Sequence, residues 1–282
     1  MLKKKCPPAN LIYLNMNLKE RYGRKALIAG ASEGIGAAFA EHLAAEGFSL
    51  YLVARRKDPL QKLAGMLTER YGVTVRQIIC DLSDEGAAGQ IMSSTAGDEP
   101  DIMIYNAALS HIGPFADHPI EGHCQAARVN MITPLKLVHH FGKKMLERRR
   151  GAIVLMSSLA GFQGSGYLAG YAAGKAFNRV LAESLWYEWK DKDVDIMACC
   201  AGATSTPGYI NSAPDRTSFL APAVQEPGEL VRECFRNLGR KPSFISGRGN
   251  RIASFFMQRV LPRKMAVRIM GSNTRKMYGL EK

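Results

Sequence analysis

Lys25-Ala26-Leu27-Ile28-Ala29-Gly30-Ala31-Ser32-Glu33-Gly34-Ile35-Gly36 joins a short apolar run to a glycine-rich turn. An apolar run without polar alternation suits a strand buried on both faces of a parallel sheet. Residues 37–47 follow with Ala38, Phe39, Leu43 and Ala44 at helical spacing, and residues 48–54 form a second apolar run. Strand, turn, helix and strand make a βαβ unit. There the glycines serve a tight turn, close approach of backbone to a pyrophosphate, and close packing of helix on strand. The helix N-terminus offers free N–H groups to the phosphates. The spacing is G-x-x-x-G-x-G rather than the common G-x-G-x-x-G, so the turn taken alone also suits a plain strand-to-helix connection.

The alternation continues outward. Residues 73–79, 102–105, 151–156 and 194–199 read as further strands. Residues 132–149 and 171–189 read as helices, the second with Ala176, Phe177, Val180, Leu181 and Leu185 on one stripe. Strands alternating with helices predict an α/β fold with a doubly wound parallel sheet of the Rossmann-like kind. Ligands of such sheets bind at the carboxyl ends of strands. Gly30, Arg55, Asp81, Asn106, Ser158 and Gly202 all fall there. The expected organisation is an N-terminal extension over 1–22, one domain over 23–238 with a lid at about 204–228, and a basic, amphipathic extension over 239–282.

Composition narrows the function classes. With 46% hydrophobic and 22% charged residues in 282, a disordered chain is excluded. No run of 18 apolar residues is present, which argues against a spanning helix. Six cysteines without a C-x-x-C spacing are too few for a disulfide scaffold of this length. A cytoplasmic protein is expected. Lys and Arg number 38 against 25 Asp and Glu, and the excess sits at the two ends, around a nearly neutral middle. Residues 239–282 alone hold eleven basic residues against Glu281. Such an end fits peripheral contact with a membrane, an acidic carrier, or an ordinary solvated face. Nucleic acid is not expected, because aromatic and basic residues are not interleaved. Leu11 to Leu14 is too short for a signal-peptide core, and Met16 is an alternative start to Met1.

Two constellations carry chemistry. At the end of the second strand, where an NAD site keeps an acidic residue, the chain has Ala54-Arg55-Arg56-Lys57. A carboxylate there would repel a 2′-phosphate, whereas an arginine pairs with it, so NADP(H) is favoured over NAD(H). Tyr171 and Lys175 stand at i and i+4, on one face of a helix. A nearby ammonium favours a phenolate and suits the tyrosine to proton transfer with an alcohol. Ser158 ends the fifth strand, thirteen residues before Tyr171, and can hydrogen-bond a substrate oxygen.

Together these pieces resemble the classical short-chain dehydrogenase/reductase family. The resemblance rests on Gly30-x-x-x-Gly34-Ile35-Gly36, Asp81, Asn106-Ala107-Ala108, Asn130, Ser158, Tyr171-x-x-x-Lys175, and Ala201-Gly202 with Thr206, in family order across residues 24–206. It implies a catalytic set of Asn130, Ser158, Tyr171 and Lys175. Tyr171 would be the general acid/base. Lys175 would lower its pKa and hold the nicotinamide ribose, Ser158 would polarise the substrate carbonyl, and Asn130 would position a water. It implies cofactor contacts from Gly30, Ser32, Glu33, Gly34, Ile35, Arg55, Arg56, Asp81, Leu82, Asn106, Ala107, Tyr171, Lys175, Gly202, Thr204 and Thr206, and no metal. The implied reaction is hydride transfer between NADP(H) and a small-molecule ketone, aldehyde or alcohol, with a lipophilic substrate suggested by Tyr209, Phe219 and Leu220 in the lid. A homo-oligomer, dimer or tetramer, is also implied. The chain departs from the family in Ala108 and Ala201, where Gly and Pro are usual. The alternative reading is a non-catalytic NADP(H)-binding sensor or docking protein acting through its basic tail; such a protein would not need the complete catalytic set.

Overall fold

The computed structural model describes residues 17–212 and 224–280. In chain order these form α1 (Leu18–Tyr22), β1 (Lys25–Ala29), α2 (Gly34–Ala45), β2 (Ser49–Ala54), α3 (Lys57–Tyr71), β3 (Val75–Ile79), α4 (Ala87–Ser94) and β4 (Ile102–Tyr105). Then come α5 (Ile120–Ala127), α6 (Thr133–Glu147), β5 (Gly151–Ser158), α7 (Ala169–Trp189), β6 (Val194–Ala201), α8 (Pro207–Asn211), α9 (Pro227–Asn237), β7 (Ser243–Ile245), α10 (Arg248–Phe255) and α11 (Arg263–Met277).

The seven strands form one sheet in the order β3-β2-β1-β4-β5-β6-β7, and every pairing is parallel. This is the doubly wound α/β architecture the sequence predicts. Successive side chains of a strand point to opposite faces, and the core divides accordingly. Ile28, Leu52, Ile104, Val154 and Cys199 lie on one side, where α2, α3 and α9 cover them. Leu27, Val53, Met103, Ile153 and Cys200 lie on the other, under α4, α6 and α7. The neighbouring Cys199 and Cys200 thus serve two different cores as small apolar side chains.

Three details differ from the sequence reading. Helix α2 begins at Gly34, three residues earlier than expected, because Gly34 to Gly36 form its first turn. Leu18–Tyr22, inside the expected extension, is a helix tied to the body: the buried Tyr22 hydroxyl donates to Asp195 Oδ2 at 2.8 Å and Arg21 Nη2 donates to the same oxygen at 2.6 Å. On α7 the buried residues are Ala172, Gly174, Lys175, Asn178, Ala182 and Trp189; of the expected stripe, Leu181 and Leu185 pack half-buried against the core, while Val180 is exposed. Small residues face inward there because the helix lies close to the turn that follows β5. Gly161 shows how close: a Cβ there would meet the Ala176 nitrogen at 2.8 Å. The lid residues Phe219 and Leu220, and both candidate starts, lie outside the described residues. Among the described residues no helix is long and apolar enough to cross a membrane.

Candidate active site

The turn after β1 is built for close approach. Gly30 has φ +80° and Gly34 has φ +58°, values that favour glycine. A Cβ on Gly30 would lie 2.7 Å from the Ala107 nitrogen, one on Gly34 would lie 2.9 Å from Thr206 Cγ2, and one on Gly36 would collide with the Gly30 carbonyl. Asn106 Nδ2 donates to that same Gly30 carbonyl at 2.9 Å, bracing the turn against the end of β4. Glu33, at the N-cap of α2, makes no side-chain cap, so the first N–H groups of the helix have no capping side chain.

In front of this turn is a cleft of about 740 Å³. That volume lies within the range of small-molecule and cofactor sites, roughly 300–1,000 Å³. Gly30, Ser32, Glu33, Gly34, Ile35, Arg55, Arg56, Asp81, Leu82, Asn106, Ala107 and Thr206 line it. Glycines that a Cβ would block, uncapped N–H groups and flanking arginines together fit a dinucleotide. Gly202 and Thr204 stand apart from the cleft wall. The Thr204 hydroxyl turns back to the Gly202 carbonyl at 3.2 Å, and Gly202 packs on Asn250, so both shape the chain leaving β6.

The arginines differ in their partners. Arg56 is paired to Glu33 at 2.6 Å, whereas Arg55 reaches Asp81 only at 4.0 Å and is largely exposed. Asp81 is held by the Ser83 backbone N–H at 2.9 Å and the Ser83 hydroxyl at 2.8 Å. These donors keep the Asp81 carboxyl below the usual carboxylate range. Arg55 is thus the less tightly paired of the two arginines.

The second constellation sits where β5 meets α7. Lys175 is buried and its Nζ donates to the Met156 carbonyl at 2.8 Å, while Ser157 Oγ donates to the Lys175 carbonyl at 2.7 Å. Burial pulls the Lys175 ammonium down to about 8, against a smaller upward pull from Cys199 and Cys200. Its Nζ lies 5.7 Å from the centre of the Tyr171 ring. Burial raises the Tyr171 phenol above its ordinary value; a hydrogen bond with Ser158 works in the opposite direction, and Tyr278 adds to the rise. The lowering of Tyr171 that was expected from Lys175 is not seen. The ammonium is committed to a strand carbonyl and stands over the ring rather than at the hydroxyl.

Asn130 lies in a π-helical turn, Arg128–Ile132, between α5 and α6. Such a turn inside a helix often marks a functional position. Its side chain bridges the Leu109 backbone, accepting from N–H at 3.0 Å and donating to the carbonyl at 2.7 Å. Its own carbonyl accepts from Asn178 Nδ2 at 3.1 Å. Asn130 thereby ties the loop after β4 to the helix that carries Tyr171 and Lys175.

Several site residues carry no signal in the sequence. His111, Gln125 and Val129 join the cleft wall. His111, His118 and His123 cluster beside it with ring centroids 5.2–6.0 Å apart, although among the described residues no His, Cys, Asp and Glu group is placed to hold a metal. Helix α11 also reaches the loop between β5 and α7. Arg263 Nη1 donates to the Phe162 carbonyl at 2.8 Å, and a Cβ on Gly166 would lie 3.2 Å from Gly271 Cα.

Comparison with known proteins agrees with this geometry. The family model for short chain dehydrogenase matches residues 24–217. The 7β-hydroxysteroid dehydrogenase of Collinsella aerofaciens is 36% identical over 238 residues, covering 84% of this chain and 90% of that protein. That of Clostridium sardiniense is 35% identical with the same coverage. A solved 7β-hydroxysteroid dehydrogenase structure superposes with a TM-score of 0.86 at 34% identity, over 90% of this chain and 99% of the other. A Sphingobium yanoikuyae short-chain dehydrogenase in complex with NADPH gives 0.73 at 28% identity, over 82% and 92%. The chain therefore is an oxidoreductase acting on CH–OH groups, and it belongs to the short-chain dehydrogenase family.

Proposed function

We propose that the chain is an NADP(H)-dependent hydroxysteroid dehydrogenase that interconverts a ring ketone and its alcohol, with the 7-position of a steroid as the preferred site. The observation that carries this reading is the likeness to the 7β-hydroxysteroid dehydrogenases over nearly the whole chain. The residues left out of the 90% superposition are fewer than the 44 of the C-terminal extension, so the likeness takes in part of that extension too. Helix α11, which packs on the loop between β5 and α7, supports a substrate site closed partly by this extension.

Tyr171 donates its proton to the carbonyl oxygen during reduction and accepts it during oxidation. Ser158 orients the same oxygen through its hydroxyl. Lys175, charged below about pH 8, holds positive charge under the tyrosine ring and fixes α7 to β5. Asn130 holds the loop at Leu109 in place. NADPH, when bound, supplies the hydride. Arg55 supports the preference for NADP(H), because it is the cleft arginine with only a long acidic contact.

Exposed Ile132 and Leu135 near the start of α6, with Val180 and Tyr187 on α7, support pairing of these helices in a homodimer. Buried free thiols at Cys80, Cys199, Cys200 and Cys234 support a reducing, cytoplasmic setting.

The test is NADPH oxidation by the purified protein with a 7-oxo steroid, a 3-oxo steroid and a simple aliphatic ketone. Preference for the 7-oxo steroid, lost in Tyr171→Phe while NADPH binding persists, is expected. Equal rates on the simple ketone would discard the steroid assignment. Normal turnover by the Phe variant would discard the role of Tyr171.

A further inference from the structure

Helix α10 continues through a π-helical turn, Phe256–Val260, before α11 begins. Along this segment Ile252, Phe255, Phe256 and Val260 are each more than half exposed, and Met265 follows at 49%. Soluble proteins seldom leave large contiguous apolar patches uncovered without a use for them. Between Gly239 and Leu280 the chain has ten basic residues and no acidic one. Beside the apolar side chains opens a second cleft of about 640 Å³, away from the dinucleotide turn, lined by Arg236, Lys241, Arg248, Arg251 and Glu233. Glu233 is spent on Arg251 at 3.5 Å, the Ser246 hydroxyl at 3.0 Å and the Gly247 N–H at 2.9 Å. Among the described residues no carboxylate lies within ion-pair distance of Arg236, Lys241 or Arg248.

We propose that this face docks on a bilayer surface carrying anionic phospholipid, with the phenylalanines at the acyl boundary and the basic cleft receiving headgroup phosphates. Amphipathic helices with basic flanks lie in such interfaces without crossing them, and guanidinium groups pair well with phosphate. Charge decides against a second copy of the chain. A twofold contact sets a patch against itself, and here it would press cations on cations with only Glu233, already engaged by Arg251, Ser246 and Gly247, to offset them. The geometry is that of a protein that meets a lipophilic substrate at the surface where it partitions.

The full chain is sedimented with phosphatidylcholine vesicles, with and without phosphatidylglycerol. Binding to the phosphatidylglycerol vesicles alone is expected, weakening when about 1 M salt shortens the screening length to about 3 Å. Phe255→Ser with Phe256→Ser is expected to lower partitioning at least about tenfold, and Arg248→Glu with Arg259→Glu to abolish it. Both variants alter exposed side chains, and circular dichroism and NADPH binding check that they are folded. Absence of binding to either vesicle overturns the proposal, as does binding that the phenylalanine variant leaves unchanged. So does a wild-type oligomer that this variant splits into monomers, which would assign the face to a subunit contact.

Discussion

Gly174 of α7 lies flat against Asn130: a methyl group at position 174 would sit 2.7 Å from Asn130 Cβ. The obstructing atom is the root of a side chain fixed at both ends of its amide by Leu109, so it cannot swing aside. Gly174→Ala is expected to push the π-helical turn away from α7. Overpacking of this kind costs about 1–3 kcal/mol, offset by about 1 kcal/mol of helix propensity. The expected result is a several-fold lower kcat with little change in NADPH affinity, read by steady-state kinetics and cofactor titration. An unchanged kcat would show that Asn130 does not position the catalytic helix.

Arg55 and Arg56 should separate on mutation. Arg56 is paired with Glu33, and its removal frees an acidic group near the phosphate-binding turn. Arg55→Ala is expected to weaken NADPH binding by about 1.5–3 kcal/mol, the usual range for a hydrogen bond to a charged group, with NADH affinity almost unchanged. Fluorescence titration of both cofactors measures it. Equal losses for both would mean that Arg55 acts on the shared part of the dinucleotide.

Lys175 makes stability depend on alkaline pH. Its ordinary value of 10.5 falls to about 8 in the folded chain because burial disfavours the charged form. Between those values the unfolded chain binds more protons, so this residue makes stability rise from about pH 8 and level off near 10.5. The cost below pH 8 is about 3 kcal/mol at 1.36 kcal/mol per pKa unit. Lys175→Met is expected to flatten that rise in urea unfolding at pH 7 and pH 10 while abolishing turnover. A variant that keeps the wild-type slope would place the titration elsewhere.

Tyr171 shifts the balance of directions. Burial raises its phenol above the ordinary value, so the acid form persists through neutral pH. Reduction is expected to hold a steady kcat across neutral pH, while alcohol oxidation, which needs the phenolate, climbs into the alkaline range. Ser158→Ala removes the hydrogen bond that opposes the rise and is expected to move the oxidation profile further upward. A profile left in place would remove Ser158 from the tuning of Tyr171.

Asp195 tests whether α1 belongs to the folded body. It stands near the start of β6, at the end of the sheet opposite the cleft, and accepts from both Tyr22 and Arg21. Asp195→Ala leaves the buried Tyr22 hydroxyl without its partner, at a cost of about 1–3 kcal/mol. A lower urea midpoint with an unchanged kcat is expected. A large loss of kcat would contradict the distance from the site.

The central strands were legible because each is an apolar run bounded by glycine or charge, as at Lys25–Ala29 and Gly151–Ser158. The start of α2 was not, since Gly34 reads as a breaker although its freedom is what turns the chain into the helix. Strand β7 has three residues, too few for a pattern. Hydrophobic periodicity located the core-facing Leu181 and Leu185 of α7 but not its most buried positions, which a lysine and an asparagine share with small residues and Trp189. Of the site, strand-end residues and fixed spacings could be read. His111, Gln125 and the approach of Gly271 to Gly166 could not, since they depend on loops and long-range packing that leave no local period.

The strand order has a consequence for how the chain can be assembled as it is made. β2 and β3 extend from one side of β1; β4 then crosses to the other side, and β5, β6 and β7 add outward in turn. No strand has to be inserted between two already paired, so each finds an existing edge as its template during synthesis. The glycine turn after β1 lies at the single reversal of direction, and most of the residues lining its cleft are made before β5. A nascent chain stalled after β5 and β6 would already hold most of the residues that line the cleft, with the C-terminal helices still to come.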